Sequence, residues 1–153
     1  MSGQQMDTRA VSYEFEVEMK ASADRVWRAL VEETDAWWLP DFHMVGEGSK
    51  VHLDARAGGH LIEEQPGGGS LMWYTVQMCS PGQSLHLVGH LGAEWGGPAT
   101  TMLSLTLEER GDTTVLTVKD ALHGHVSKTA PDSLEAGWRQ LFTDGLSAYL
   151  SRA

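Results

Sequence analysis

The sequence contains only one cysteine, Cys79, so an intramolecular disulfide is excluded. The first ten residues are polar and lack the apolar core of a secretory signal. No apolar run approaches the length that a membrane-spanning helix needs. We therefore expect a cytoplasmic protein. A length of 153 residues suits one domain, and we expect residues 1–10 to be disordered and residues 11–153 to form that domain.

Basic residues are also scarce, since 11 Lys and Arg stand against 21 Asp and Glu and give a net charge of −10. No basic cluster reverses this balance locally. A chain this acidic should be repelled by nucleic acid and by anionic lipid. We expect neither a nucleic acid nor a membrane among its partners. The sequence does not decide whether the protein forms a homodimer.

Seven histidines are present, but none belongs to a pattern that binds a metal ion. There is no HExxH motif and no Cys/His cluster with zinc spacing. The close pairs are His123 with His125 and His86 with His90, and neither pair has an identifiable third ligand. The segment Gly46-Glu47-Gly48 lacks the third glycine of a dinucleotide fingerprint. We expect no metal ion and no cofactor.

The sequence assigns no catalytic residue. Glu63 and Glu64 are adjacent, so on a strand they point to opposite faces and cannot form a catalytic carboxylate pair. One of the two could point inward. A carboxyl group in an apolar cavity would have a raised pKa and could act as an acid or a base.

The spacing of apolar residues predicts the order of the elements. Residues 13–20 alternate between apolar and charged and predict a half-buried strand. Ser22 is a predicted N-cap of a first short helix, and Pro40 is the predicted stop of a second one over residues 36–39. Six further strand-like segments follow, separated by turns that are rich in glycine and proline. Residues 131–150 carry apolar residues at helical spacing over about five turns.

This order predicts an α+β fold. Consecutive strands joined by tight turns pair antiparallel. The inner face of their sheet is the surface large enough to bury the apolar stripe of the last helix. We expect a curved antiparallel β-sheet of six to seven strands around a long C-terminal helix.

Four local features carry a resemblance to a known family. They are residues 21–30 after the first strand, Trp37-Trp38-Leu39-Pro40, Gly58-Gly59 before a strand that ends in Glu63-Glu64, and Gly137-Trp138 followed by Leu146, Tyr149 and Leu150. In this order the chain resembles the START-like (SRPBCC) superfamily, and within it the homologues of the activator of the heat-shock-protein-90 ATPase. The resemblance spans residues 13–150 and implies a helix-grip fold with an internal cavity. Members of the superfamily bind lipids, hormones and polyketides, and some act as cyclases. The stretch from Gly92 to Pro98 matches no family motif.

Aromatic and flexible apolar side chains are expected to line that cavity. The short helices, one face of a strand, the loop after residue 92 and the long helix supply them. The predicted ligand-binding residues are Trp37, Trp38, Phe42, Tyr74, Val76, Met78, Trp95, Phe142 and Leu146. We expect an enclosed apolar cavity in which Tyr74 supplies a polar handle.

The function that this cavity predicts is the binding of a small hydrophobic molecule. Two alternatives stay open. One is an enzyme of the cyclase, dehydratase or hydrolase type, which would need several titratable groups converging in the cavity. The other is a protein-interaction module similar to a chaperone cofactor, which would need an exposed apolar patch.

Overall fold

The alternating pattern near the start of the sequence forms the first strand of a seven-stranded antiparallel sheet. The computed structural model describes residues 3–152. The sheet order is β1-β7-β6-β5-β4-β3-β2, so β1 lies beside the last strand. The strands are β1 (Arg9–Met19), β2 (Lys50–Leu53), β3 (His60–Glu64), β4 (Ser70–Ser80), β5 (Ser84–Leu91), β6 (Ala99–Arg110) and β7 (Thr113–Gly124). The predicted α+β fold is confirmed.

Strands β1 and β7 both extend further than the sequence predicts. Arg9 pairs with Gly124, two residues before the predicted domain boundary. The loop predicted from Leu122 begins later, because Leu122 continues the inward alternation of β7 and is buried. Of the segment predicted to be disordered, residues 1 and 2 lie outside the described residues, and residues 3–8 have no regular secondary structure.

Two short helices and one turn of 3-10 helix connect β1 to β2. Helix α1 (Ala23–Glu32) begins as predicted, because the Ser22 hydroxyl accepts a hydrogen bond from the Arg25 backbone N–H at 3.2 Å. Helix α2 (Thr34–Trp37) lies two residues before its predicted position. Pro40 does not simply end it; Pro40 begins the 3-10 turn Pro40–Phe42, where its fixed φ is tolerated.

The chain ends in one continuous helix over residues 130–152, which we name the gripping helix. It consists of α3 (Ala130–Gln140), a π-helical stretch (Leu141–Ser147) and α4 (Ala148–Arg152). Leu141, Phe142 and Leu146 are buried in the core that the helix forms with the sheet. At Gly145 the gripping helix lies very close to the backbone of α2, because a Cβ atom on this residue would lie 2.5 Å from the Trp37 carbonyl oxygen.

Two β-bulges in β4 decide which of its side chains face the core. The register against β3 passes from Tyr74 to Met72, so Trp73 is an extra residue. The register against β5 passes from Val76 to Met78, so Gln77 is a second extra residue. After each bulge, the side chains that would have pointed inward point outward and the others point inward, because side chains on a strand alternate with a period of two residues.

Candidate functional site

A cleft of about 490 Å³ lies between α3 of the gripping helix and one end of strands β4, β5 and β6. It opens to solvent. Its aromatic lining consists of Phe42, Trp73, Tyr74, Trp95 and Trp138, and its polar lining consists of His90, Glu94, Thr101, Ser127, Thr129 and Ser133. The size and the mostly apolar lining are typical of a small-molecule site.

Six packed aromatic side chains form the part of the core that lies against this cleft. We name them the aromatic cluster: Trp37, Trp38, Trp73, Tyr74, Trp138 and Phe142. Trp73 and Trp138 face the cleft, with ring centroids 6.4 Å apart. Trp38 lies behind both, 5.3 Å from Trp73 in an edge-on contact. Interlocked rings of this kind form a stiff wall, because each ring is held by neighbours on several sides.

Three of the predicted ligand-binding residues line the cleft: Phe42, Tyr74 and Trp95. The structure places five others in the core instead. These are Trp37, Trp38, Val76, Phe142 and Leu146, all at most 5% exposed. The void beside Trp37, Trp38 and Phe142 measures only about 20 Å³, which is room for about one water molecule. The expectation of one large enclosed cavity among these core residues is therefore wrong, and the space lies in the cleft.

Met78 lies on the opposite face from its predicted partners. The bulge at Gln77 turns Met78 outward, where it is 43% exposed, and turns Cys79 inward. Tyr74 and Val76 keep the inward face because they precede the bulge.

The loop between β5 and β6 carries Trp95 to the mouth of the cleft. A 3-10 turn (Ala93–Trp95) is followed by Gly96, whose φ of 92° is a conformation that favours glycine. The Ser127 backbone N–H donates to the Gly96 carbonyl oxygen at 3.0 Å. A Cβ atom at Gly96 would lie 2.9 Å from the Ala130 side chain, so the loop is seated on the start of the gripping helix. Trp95 remains 46% exposed.

A buried polar network lies beneath the floor of the cleft and is centred on Asp120, which is 2% exposed. Its carboxylate accepts hydrogen bonds from the Thr101 hydroxyl at 2.5 Å and the Tyr13 hydroxyl at 2.7 Å. Burial raises the pKa of Asp120 above its ordinary value, although both hydroxyls and the Ala121 backbone N–H oppose the rise. Burial and the nearby Asp120 raise the pKa of the Tyr74 phenol, so this group stays neutral.

A second buried carboxylate anchors the wall beside Met44. Glu63 is fully buried and accepts hydrogen bonds from the Met44 and Val45 backbone N–H groups, the Ser49 hydroxyl and the Trp73 indole. Burial alone would raise the pKa of Glu63, but these donors together lower it below its ordinary value. The prediction of a raised pKa for an inward-facing glutamate is therefore wrong for Glu63, which is a structural anion.

Within residues 3–152, no group of three or more His, Cys, Asp or Glu side chains is placed to hold a metal ion. None of the helices in this range is long and apolar enough to cross a membrane.

A family comparison places the chain among known proteins. The model of the family "Activator of Hsp90 ATPase homolog 1-like protein" matches residues 20–151, which is most of the chain. The chain belongs to this family. No curated protein matches it.

Solved structures show that the fold of this family member is widely shared. The chain is similar to protein Mll3558 from Rhizobium loti, with a TM-score of 0.71, 23% identity, and coverage of 93% of this chain and 98% of that one. It is similar to MLL2253 from Mesorhizobium loti, with a TM-score of 0.69, 19% identity, and coverage of 94% and 98%. It is also similar to DynU16 of the dynemicin biosynthetic locus, with a TM-score of 0.61, 22% identity, and coverage of 92% and 47%.

Several cleft residues of this family member escape the sequence reasoning. Asp120 is one that the pattern could have revealed, because it continues the inward alternation of Leu116 and Val118 by one further step. Trp73 gave no such signal, since the bulge that turns it inward is not marked in the sequence. Trp138 is spaced as a core residue of the last helix, and it lies between the core and the cleft.

Proposed function

We propose that this protein binds a small, largely apolar molecule in the cleft between the gripping helix and the sheet. The observation that carries the proposal is the aromatic lining of a 490 Å³ space that stays open in the structure. Aromatic walls provide a large contact area for a flat apolar ligand, and a few polar groups orient it.

The distribution of titratable groups supports binding rather than acid–base catalysis. Within the described residues, the ionisable side chains that line the cleft are Tyr74, His90 and Glu94. Tyr74 lies on the floor with a raised pKa, whereas His90 is exposed at the edge. Asp120 and Glu63 do not line the cleft, and protein donors already occupy their oxygens. This arrangement does not bring an acid and a base to one point.

Three of the six large apolar side chains that are exposed within residues 3–152 lie on the rim of the cleft. These are Met44, Met72 and Trp95, whereas Met6, Met78 and Met102 lie away from it. DynU16, which shares the fold, is a protein of the dynemicin biosynthetic locus. That setting agrees with a small-molecule ligand for this chain.

The experiment uses Gly137, which lies in the cleft lining on the gripping helix. A Cβ atom there would have only the Phe42 ring within 4 Å, at 3.7 Å, so a larger side chain would grow into the cleft. We expect methoxynaphthalene, an uncharged aromatic probe, to bind with a single saturable site and to change tryptophan emission. The substitution Gly137→Phe should weaken this binding at least tenfold, and Gly137→Ala should preserve it. Equal binding by both variants would place the site elsewhere.

A further inference from the structure

The electrostatics of the cleft define the class of ligand more narrowly than its shape does. Within the described residues, neither a lysine nor an arginine lines it. A ligand carboxylate or phosphate would therefore find no ammonium or guanidinium partner among these residues. Removing such an anion from water without compensation is costly.

The buried Asp120 adds to this effect from beneath the floor. The Thr101 and Tyr13 hydroxyls donate to Asp120 at 2.5 and 2.7 Å, which favours its ionised form and opposes the rise in pKa that burial causes. The nearest cleft-lining residue in this network is Thr101, which is itself 1% exposed. A charge in so dry a setting is weakly screened, so it repels an anion placed above Thr101.

The hydrogen bond between Thr101 and Asp120 also sets the polarity of Thr101, which shares the floor with the neutral phenol of Tyr74. A threonine hydroxyl has one proton and two acceptor lone pairs. Thr101 donates its proton to Asp120 at 2.5 Å, so toward a ligand it can only accept. A ligand that meets Thr101 must therefore bring its own donor.

We infer that the cleft selects an uncharged aromatic molecule that carries a hydroxyl or similar donor, and that it rejects carboxylate ligands such as fatty-acid anions. This inference rests on the proposed function. Asp120 acts through Thr101 as a positioning residue. The aromatic walls supply affinity for any flat apolar molecule, and the Thr101–Asp120 pair discriminates between molecules of the same shape.

The test compares three naphthalene probes of similar size by titration against the whole protein at neutral pH. Naphthol is neutral and has a donor, methoxynaphthalene is neutral and has none, and naphthoate is an anion. We expect naphthol to bind several-fold more tightly than methoxynaphthalene and at least tenfold more tightly than naphthoate. Naphthoate binding as tightly as naphthol would overturn the inference while leaving the proposed function in place. Failure of all three probes to bind would overturn the proposed function itself.

Two variants assign the discrimination to the Thr101–Asp120 pair. Thr101→Val has nearly the same shape and should remove the preference for naphthol over methoxynaphthalene. Asp120→Asn should reduce the gap between naphthol and naphthoate at least threefold. Thermal unfolding checks that each variant is folded. If a variant does not fold, the comparison of the three probes on the wild-type protein still decides the inference. Unchanged probe ratios in folded variants would contradict the assigned role.

Discussion

The ring of Tyr74 in β4 lies directly against Gly89 in β5: a Cβ atom at Gly89 would be 2.8 Å from two carbons of that ring. The same atom would be 2.7 Å from the Trp73 carbonyl oxygen, which belongs to the backbone and cannot move aside easily. Both neighbours line the cleft. The absence of a side chain at Gly89 therefore gives the floor of the cleft its shape.

The first prediction concerns this contact. Gly89→Ala should lower the free energy of unfolding by about 1–3 kcal/mol, because the added methyl group overpacks a rigid site. Gly137→Ala is the matched control, since its methyl group meets only the Phe42 ring at an ordinary distance. The control should be neutral or stabilising by up to about 1 kcal/mol, because alanine favours the helix. Urea denaturation measures the free energy of unfolding of both variants. A Gly89→Ala protein as stable as its control would show that the close contact is absent.

The second prediction concerns the buried carboxylate of Glu63. Glu63→Gln should destabilise the protein by about 2–3 kcal/mol at neutral pH, because an amide cannot accept the full set of four donors. Glu64→Gln, one residue away on the exposed face, should change stability by less than about 0.5 kcal/mol.

The pH dependence of the Glu63 effect has a definite sign. The folded-state pKa of Glu63 is lowered, so its stabilisation is present above its unfolded pKa of about 4.3 and is lost as the pH falls through the folded value. The stability gap between wild type and Glu63→Gln should therefore be widest near neutrality and shrink in acid. A gap that stays constant or grows on acidification would contradict an ionised Glu63.

The third prediction tests the bulge at Gln77. Val76→Ala should cost about 1–3 kcal/mol because the side chain is 1% exposed in the core. Met78→Ala should cost less than about 0.5 kcal/mol because Met78 points to solvent. Chemical denaturation of the two variants measures these losses in the free energy of unfolding. Equal losses would show that the two side chains share a face, as unbroken alternation requires.

The overall fold was accessible from the sequence because its signals are local. The alternation in β1, the Ser22 cap and the apolar stripe of the last helix each specify an element over a few residues. Antiparallel pairing then follows from the short turns between strands. The curved sheet around a long helix is the arrangement that buries all these faces together.

The site was only partly accessible, because its determinants are not local. The bulges at Trp73 and Gln77 depend on how β4 pairs with both of its neighbours, and a single-strand pattern does not show them. Phe142 and Leu146 have the spacing of a cavity-facing stripe, but Phe142 packs against Trp37 and Trp138, and Leu146 is fully buried in the core. The cleft instead depends on where the loop of Trp95 meets the gripping helix, a contact between segments far apart in sequence.

The indole N–H signals of the six tryptophans test the central claim most directly. We expect titration with methoxynaphthalene, followed by proton–nitrogen correlation NMR, to shift the signals of Trp73, Trp95 and Trp138, which line the cleft. The signal of Trp37 should stay in place, because its indole donates to the Ala29 carbonyl oxygen deep in the core. Tryptophan-to-phenylalanine variants assign the signals. A shift of Trp37 while the three cleft tryptophans remain unchanged would contradict a ligand site in this cleft.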